Sequence, residues 1–209
     1  FPCEVIDDQI VKTKLFLPTV GTTTHIEVPN NEQICFISDI HYASILDRPD
    51  IIQKIYEECH RRDISTIICC GDITDGYYPN RKGHEKLLKA VDAKSQIEYV
   101  VNTHPYDPNI TMYMITGNHD ITHFYNEGIM IGEKINAYRK DMVYLGQDEA
   151  DLEIKKLKIK LYHGKSLHRT MLSSNAEKFL ANMKIENKPD ILQMGHIHRS
   201  FYMHDGKTN

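Results

Sequence analysis

Five short blocks carry side chains that can hold divalent cations: Asp39-Ile40-His41, Gly71-Asp72, Gly117-Asn118-His119-Asp120, Tyr162-His163-Gly164 and Gly195-His196-Ile197-His198. Taken singly, each reads as an ordinary turn. Asp39 and His41 are two residues apart, as are His196 and His198, so in extended chain each pair leaves the same face. Gly71-Asp72 reads as a turn, and Asn118-His119 as a turn that tolerates left-handed backbone. Together they mean more. Each block follows an apolar, β-rich run, which sets polar ligands beside buried strands, where isolated charge is costly unless a cation offsets it. Histidine, carboxylate and amide-oxygen donors suit manganese best, with iron or zinc as alternatives, and the absence of a cysteine cluster argues against a structural zinc site. The candidate ligands Asp39, His41, Asp72, Asn118, His163, His196 and His198 are too many for one ion. They suit two ions about 3.5 to 4 Å apart, the arrangement that clamps the attacking and departing oxygens of a phosphoryl displacement.

For five blocks to meet, the strands before them must end together. Residues 34–37 read as a strand ending at Ser38-Asp39, and Pro49-Asp50 opens an amphipathic helix to about Arg62. A strand over 66–70 ends at Gly71-Asp72, a helix follows over about 84–101, and a strand over 112–115 ends at Gly117-Asn118. Three such alternations predict a mainly parallel sheet covered on both faces, with the carboxyl ends of its strands along one edge. The second half predicts short strands at about 142–145, 151–155 and 157–162, a helix near 174–183 and a strand over 191–194. Residues 1–32 hold alternating runs at 10–17 and 22–28, split by Pro18 and Gly21, which read as a hairpin or as lead-in strands to the first sheet. With no repeat, low-complexity tract or linker, residues 1–209 read as one domain with two facing sheets and a core over 33–204. The missing initiator Met and the hairpin signal Asp205-Gly206 near the end predict a piece of a longer chain.

Composition bounds the partners. A chain of 209 residues with 41% apolar and 26% charged side chains can bury a core. Its net charge of -4 offers no global attraction to nucleic acid or anionic membrane, although twelve histidines soften that figure. No run approaches the roughly 18 apolar residues of a membrane span, and no signal peptide opens the chain. The odd set Cys3, Cys35, Cys59, Cys69 and Cys70 predicts a reducing compartment, hence a cytoplasmic protein, with Cys69-Cys70 as core. Neither a P-loop nor a Gly-x-Ser-x-Gly elbow is present.

The order Asp-x-His, Gly-Asp, Gly-Asn-His-Asp, His-Gly, Gly-His-x-His, running from Asp39 to His198, resembles the calcineurin-like metallophosphoesterase superfamily. The resemblance implies an α/β fold, a four-layer αββα sandwich of two mixed sheets, with a dimetal site at the carboxyl ends of the strands. It also implies that Asp39, His41 and His198 hold one metal, that Asn118, His163 and His196 hold the other, and that Asp72 bridges them. His119 is then not a ligand: it resembles the family's phosphate-contacting histidine, which protonates the leaving oxygen, with Asp120 orienting its ring. The superfamily's protein phosphatases carry Gly-Asp-x-x-Asp-Arg-Gly and Gly-Asn-His-Glu. This chain has Gly71-Asp72-Ile73-Thr74-Asp75-Gly76-Tyr77 and Gly117-Asn118-His119-Asp120, closer to the phosphodiesterase and DNA-repair nuclease branches.

The substrate implied is a phosphodiester, with DNA or RNA the leading choice. A phosphomonoester or cyclic nucleotide is the alternative, and a catalytically silent metal-binding scaffold the reading from another class. Nuclease relatives imply a homodimer, or a partner held through flanking segments. Lys156, Lys158 and Lys160 alternate with Leu157, Ile159 and Leu161 and are followed by Lys165, His168 and Arg169, a stripe that either meets a nucleic-acid backbone or is a solvated strand face. The stretch from Tyr77 to Lys82 either stacks on a substrate or is a plain surface loop. Tyr42 and His123-Phe124-Tyr125 either line the pocket or pack. His25, His60, His84, His104, His123, His168 and His204 are assigned no metal.

Overall fold

A run such as Thr66-Ile67-Ile68-Cys69-Cys70, with no polar alternation, is stable only in the middle of a sheet covered on both faces. The computed structural model describes residues 3–6, 9–12, 23–28, 33–164 and 172–203. Its elements are strands β1 (Cys3–Ile6), β2 (Gln9–Lys12), β3 (Thr24–Ile26) and β4 (Ile34–Ile37), helix α1 (Pro49–Arg61), strand β5 (Thr66–Cys70), helix α2 (Ala93–Thr103) and strand β6 (Thr111–Thr116). Helices α3 (Thr122–Glu127) and α4 (Ile131–Tyr138) follow, then strands β7 (Met142–Gln147), β8 (Glu149–Ile154) and β9 (Leu157–Tyr162), helix α5 (Leu172–Ala181) and strand β10 (Ile191–Met194).

One sheet, in the order β4-β5-β6-β7, is parallel throughout. The other, β10-β9-β8-β3, joins β8 and β9 antiparallel and its flanking strands parallel. All five residues of β5 are buried, and successive side chains face opposite layers. Ile67 and Cys69 meet Ile52 and Tyr56 of α1, Val100 of α2 and Ile135 of α4. Ile68 and Cys70 meet Ile26, Leu152, Ile159 and Leu161 of the second sheet. On that sheet's outer face the Phe179 ring of α5 lies 4.3 Å from the Tyr162 ring. The order of layers is therefore αββα.

Two expectations shift. The helix expected over 84–101 divides into a 3-10 turn, His84–Leu87, and α2. Leu88 between them is extended and bridges to Ser44, and the Asp92 carboxylate caps α2 by accepting from Ser95 N at 2.9 Å, so the helix starts there. Of the lead-in runs, β3 joins the second sheet beside β8, and the ladder upstream is β1 with β2. Residues 13–22 and Asp205-Gly206 lie outside the described residues.

Behind the parallel sheet, His104 locks α1, α2 and the loop after β4 together. Its Nδ1 pairs with the Tyr42 hydroxyl at 3.0 Å and its Nε2 with the Tyr56 hydroxyl at 2.8 Å. A neutral ring satisfies both, donating to one hydroxyl and accepting from the other. Arg139 reaches the His104 carbonyl at 2.8 Å and pairs with Asp141. Burial, with Arg139 nearby, pushes the imidazole down to about 3 from 6.5, while Asp141 works the other way. The unfolded chain therefore binds an extra proton between those values, and stability falls as pH drops through that window. In urea unfolding, the wild type should lose about 2 kcal/mol more than His104→Gln between pH 7.5 and pH 5; parallel pH curves would contradict this.

Candidate metal centre

The loops leaving β4 and β5 run side by side, with Asp39 N donating to Gly71 O (3.0 Å), His41 N to Asp72 O (3.0 Å) and Tyr42 N to Ile73 O (2.9 Å). Gly195 N donates to Tyr162 O, which brings the last block beside the end of β9. Asp39, His41, Asp72, His196 and His198 all have positive φ, between 49° and 76°. Left-handed backbone costs a non-glycine residue roughly 1–2 kcal/mol, and here it curls each strand end so that its side chain turns into a common point. Gly117 permits the close approach: a Cβ there would stand 2.4 Å from Asp72 Oδ1 and 2.6 Å from His163 Nε2.

Three groups of ligand atoms converge: Asp39, His41 and His198; His41, Asp72 and His119; Asp72, His163 and His196. The first is one of the sets that the resemblance implied; the last holds His163 and His196 of the other together with Asp72, which also groups with His41. Asn118 joins the last set, its Oδ1 lying 2.7 Å from His196 Nδ1 and 3.2 Å from His163 Nε2. Asp39 also accepts from the backbone N of His196 at 2.9 Å.

The arrangement holds more lone pairs than donors. Asp72 is buried and its Oδ1 accepts from His119 N at 2.8 Å, yet its Oδ2 has no hydrogen-bond partner among the described residues. His163 Nε2 lies 3.0 Å from that oxygen and His41 Nε2 3.7 Å. His163 Nδ1 donates to Cys70 O at 2.7 Å, so in the neutral ring Nε2 presents a lone pair to Asp72 and Asn118. His41 repeats the pattern: Nδ1 is held by Asp75 Oδ1 at 2.9 Å, and Nε2 faces His198 Nε2 at 3.2 Å. Protons relieve part of this. Burial opposes a charge on His163, but the Asp72 carboxylate outweighs it and pushes the ring up to about 9. His41 is also raised, its burial outweighed by Asp75, Asp72 and Asp39, whereas burial lowers His196 and His198. Divalent cations would satisfy all of these lone pairs together, so the residues fit two of them.

The expected pairing of Asp120 with His119 needs correction. Asp120 is buried and accepts from Ile73 N (3.0 Å), Thr74 N (2.8 Å), Thr74 Oγ1 (2.8 Å) and Gly117 N (2.8 Å). Those four donors saturate its lone pairs, so it ties the β5 and β6 loops together. His119 Nδ1 instead meets the Asp75 carbonyl at 2.6 Å. Asp75 thus orients both His41 and His119. The sequence signal was its place three residues after Asp72.

Other candidates resolve by burial. Tyr42 and His123 are fully buried, Tyr42 against His104 and His123 against Gln96 at 3.0 Å, so both pack rather than line the pocket. Lys160 is buried in ion pairs with Glu149 (2.9 Å) and Asp151 (3.1 Å), which removes it from any basic stripe. The stripe's continuation, Lys165, His168 and Arg169, lies outside the described residues.

A model of the calcineurin-like phosphoesterase superfamily domain matches residues 33–209. The chain belongs to this superfamily. The phosphoesterase domain is 24% identical, over 237 aligned positions, to the DNA polymerase II small subunit of Archaeoglobus fulgidus, a match covering 88% of this chain and 46% of that protein. The chain thus spans about half the length of that curated relative. Among solved structures, a novel archaeal phosphodiesterase is 21% identical with a TM-score of 0.46, covering 82% of this chain and 78% of the other. No helix among the described residues is long and apolar enough to cross a membrane.

Manganese at about a hundredfold excess over its Kd should add about 2.7 kcal/mol per occupied site to the unfolding free energy of the wild type, roughly 5 kcal/mol for two. Asp72→Asn should fold in chelator and gain almost nothing from the metal. Equal stabilisation of both proteins would rule out Asp72 as the shared ligand.

Proposed function

We propose that the domain hydrolyses phosphodiesters with two divalent ions, manganese foremost and iron or zinc otherwise, and that its substrate is a nucleic-acid strand. Asp39, His41 and His198 would hold one ion, Asn118, His163 and His196 the other, with Asp72 shared. The observation that carries this reading is the buried Asp72 Oδ2, on which ring nitrogens of His163 (3.0 Å) and His41 (3.7 Å) converge while no other hydrogen bond reaches it among the described residues. When bound, such ions lower the pKa of water and polarise phosphate oxygens.

The chain's own contribution is clearest at His119. With Nδ1 donating to the Asp75 carbonyl, the proton that the ring can release sits on Nε2. Burial lowers the His119 pKa, against the pull of Asp72, which makes that proton easier to give. As the bond from water to phosphorus forms and the bond to the leaving sugar oxygen breaks, the Nε2 proton passes to that oxygen and the attacking water gives up a proton to solvent. The ring is left neutral, its Nδ1 hydrogen bond unchanged.

A second reading is a metal-binding subunit that performs no turnover, which is favoured by the likeness to a protein named as a polymerase small subunit. The intact His119, held in one tautomer, favours the enzyme. Chelator should abolish cleavage of both single-stranded DNA and bis-p-nitrophenyl phosphate. His119→Ala should slow DNA cleavage about 10²- to 10⁴-fold. It should slow the nitrophenyl diester far less, because a phenolate leaves without a proton. Cleavage of p-nitrophenyl phosphate alone would move the substrate to monoesters, and no turnover with metal bound would favour the subunit reading.

A further inference from the structure

Outside the ligand set, the stretch from Tyr77 to Lys82 stacks a cation on Tyr78, whose ring touches His119. The Arg81 guanidinium lies 3.9 Å above the centre of the Tyr78 ring. That ring meets His119 edge-on at 5.2 Å and His84 edge-on at 5.3 Å. Its hydroxyl donates to Asn118 O and accepts from Asn118 Nδ2, both at 3.3 Å. The backbone is pinned as well, with Arg81 N donating to Tyr78 O and His84 N to Arg81 O, both at 3.0 Å. Tyr78 is therefore a fixed post, held at the rim of the site by a candidate metal ligand.

Arg81 also differs from other arginines of the chain. Arg48, Arg61, Arg62 and Arg139 each pair with a carboxylate 2.5 to 2.7 Å away. Among the described residues, no carboxylate stands within ion-pair distance of Arg81. An exposed guanidinium that is stacked, pre-oriented and without a protein anion is suited to a bidentate phosphate contact. Its anchor, the Tyr78 ring, is in edge contact with His119, the group proposed to protonate the leaving oxygen.

The geometry points to Arg81 as a specificity residue that binds the phosphate next to the scissile one, on the leaving-group side. This rests on the phosphodiesterase reading. The substrate class it selects is a diester with a second phosphate one nucleotide away, supplied by either the interior of a strand or the terminal phosphate of a short nucleotide.

The test compares wild type, Arg81→Gln and Arg81→Lys in manganese on four substrates: bis-p-nitrophenyl phosphate, thymidylyl-thymidine, the same dinucleotide with a phosphate at both its 5′ and 3′ ends, and a single-stranded oligonucleotide. Arg81→Gln should lower kcat/KM about tenfold, chiefly through KM, wherever a second phosphate is present, with partial recovery in Arg81→Lys. It should leave bis-p-nitrophenyl phosphate and thymidylyl-thymidine within about twofold. The slope of log kcat/KM against log salt for the oligonucleotide should flatten by about 0.7. Loss on both phosphate-bearing substrates means that any such anion suffices, and loss on the oligonucleotide alone assigns the site to an internal phosphate; either supports the inference. Equal loss on all four substrates, as expected if Arg81 merely steadies Tyr78, or loss on none, would overturn it while leaving the phosphodiesterase reading intact. A wild type that cleaves none of the four would overturn both.

Discussion

A buried carboxylate oxygen with no donor is costly, and the site is arranged around one. Asp72 Oδ2 faces the Nε2 atoms of His163 and His41, and each of those rings spends its other nitrogen on a protein oxygen, Cys70 O or Asp75 Oδ1. Each histidine is held in the tautomer that aims a lone pair inward. Asn118 adds an amide oxygen and His196 and His198 two more rings, so the cluster is built from groups that can all act as ligands. A core selected for stability alone would mix donors with acceptors. One in which carboxylates, an amide oxygen and imidazoles converge in such number is suited to cations.

The rest of the fold keeps that cluster from relaxing. Ligand residues in left-handed backbone would unwind in an isolated loop. Here they follow strands whose two faces are both covered, by the helices on one side and the second sheet on the other. Asp120 ties the β5 and β6 loops through four hydrogen bonds, and Asp39 holds the backbone of His196. Burial therefore supports the strain, and the strain aims the ligands.

Much of this was legible because parallel strands write themselves as unbroken apolar runs and candidate metal ligands cluster where those runs stop. Ile67 to Cys70 ending at Asp72, and 112–115 ending at Asn118, placed both the sheet and its working edge. What escaped depended on contacts distant in sequence. Asp120 follows His119 directly, yet its partners Ile73 and Thr74 lie more than forty residues away, so the role implied by the resemblance is not the one its contacts give. Lys160 read as basic surface because Glu149 and Asp151 come from the neighbouring strand. The break before α2 was local, but Asp92 lay inside a stretch whose apolar spacing ran through it.

Anomalous diffraction from crystals grown with manganese would test the central claim most directly. Two peaks should appear, one against Asp39, His41 and His198 and the other against Asn118, His163 and His196, with Asp72 Oδ2 bonded to both. A single peak, or two that leave Asp72 Oδ2 without a metal contact, would contradict the account.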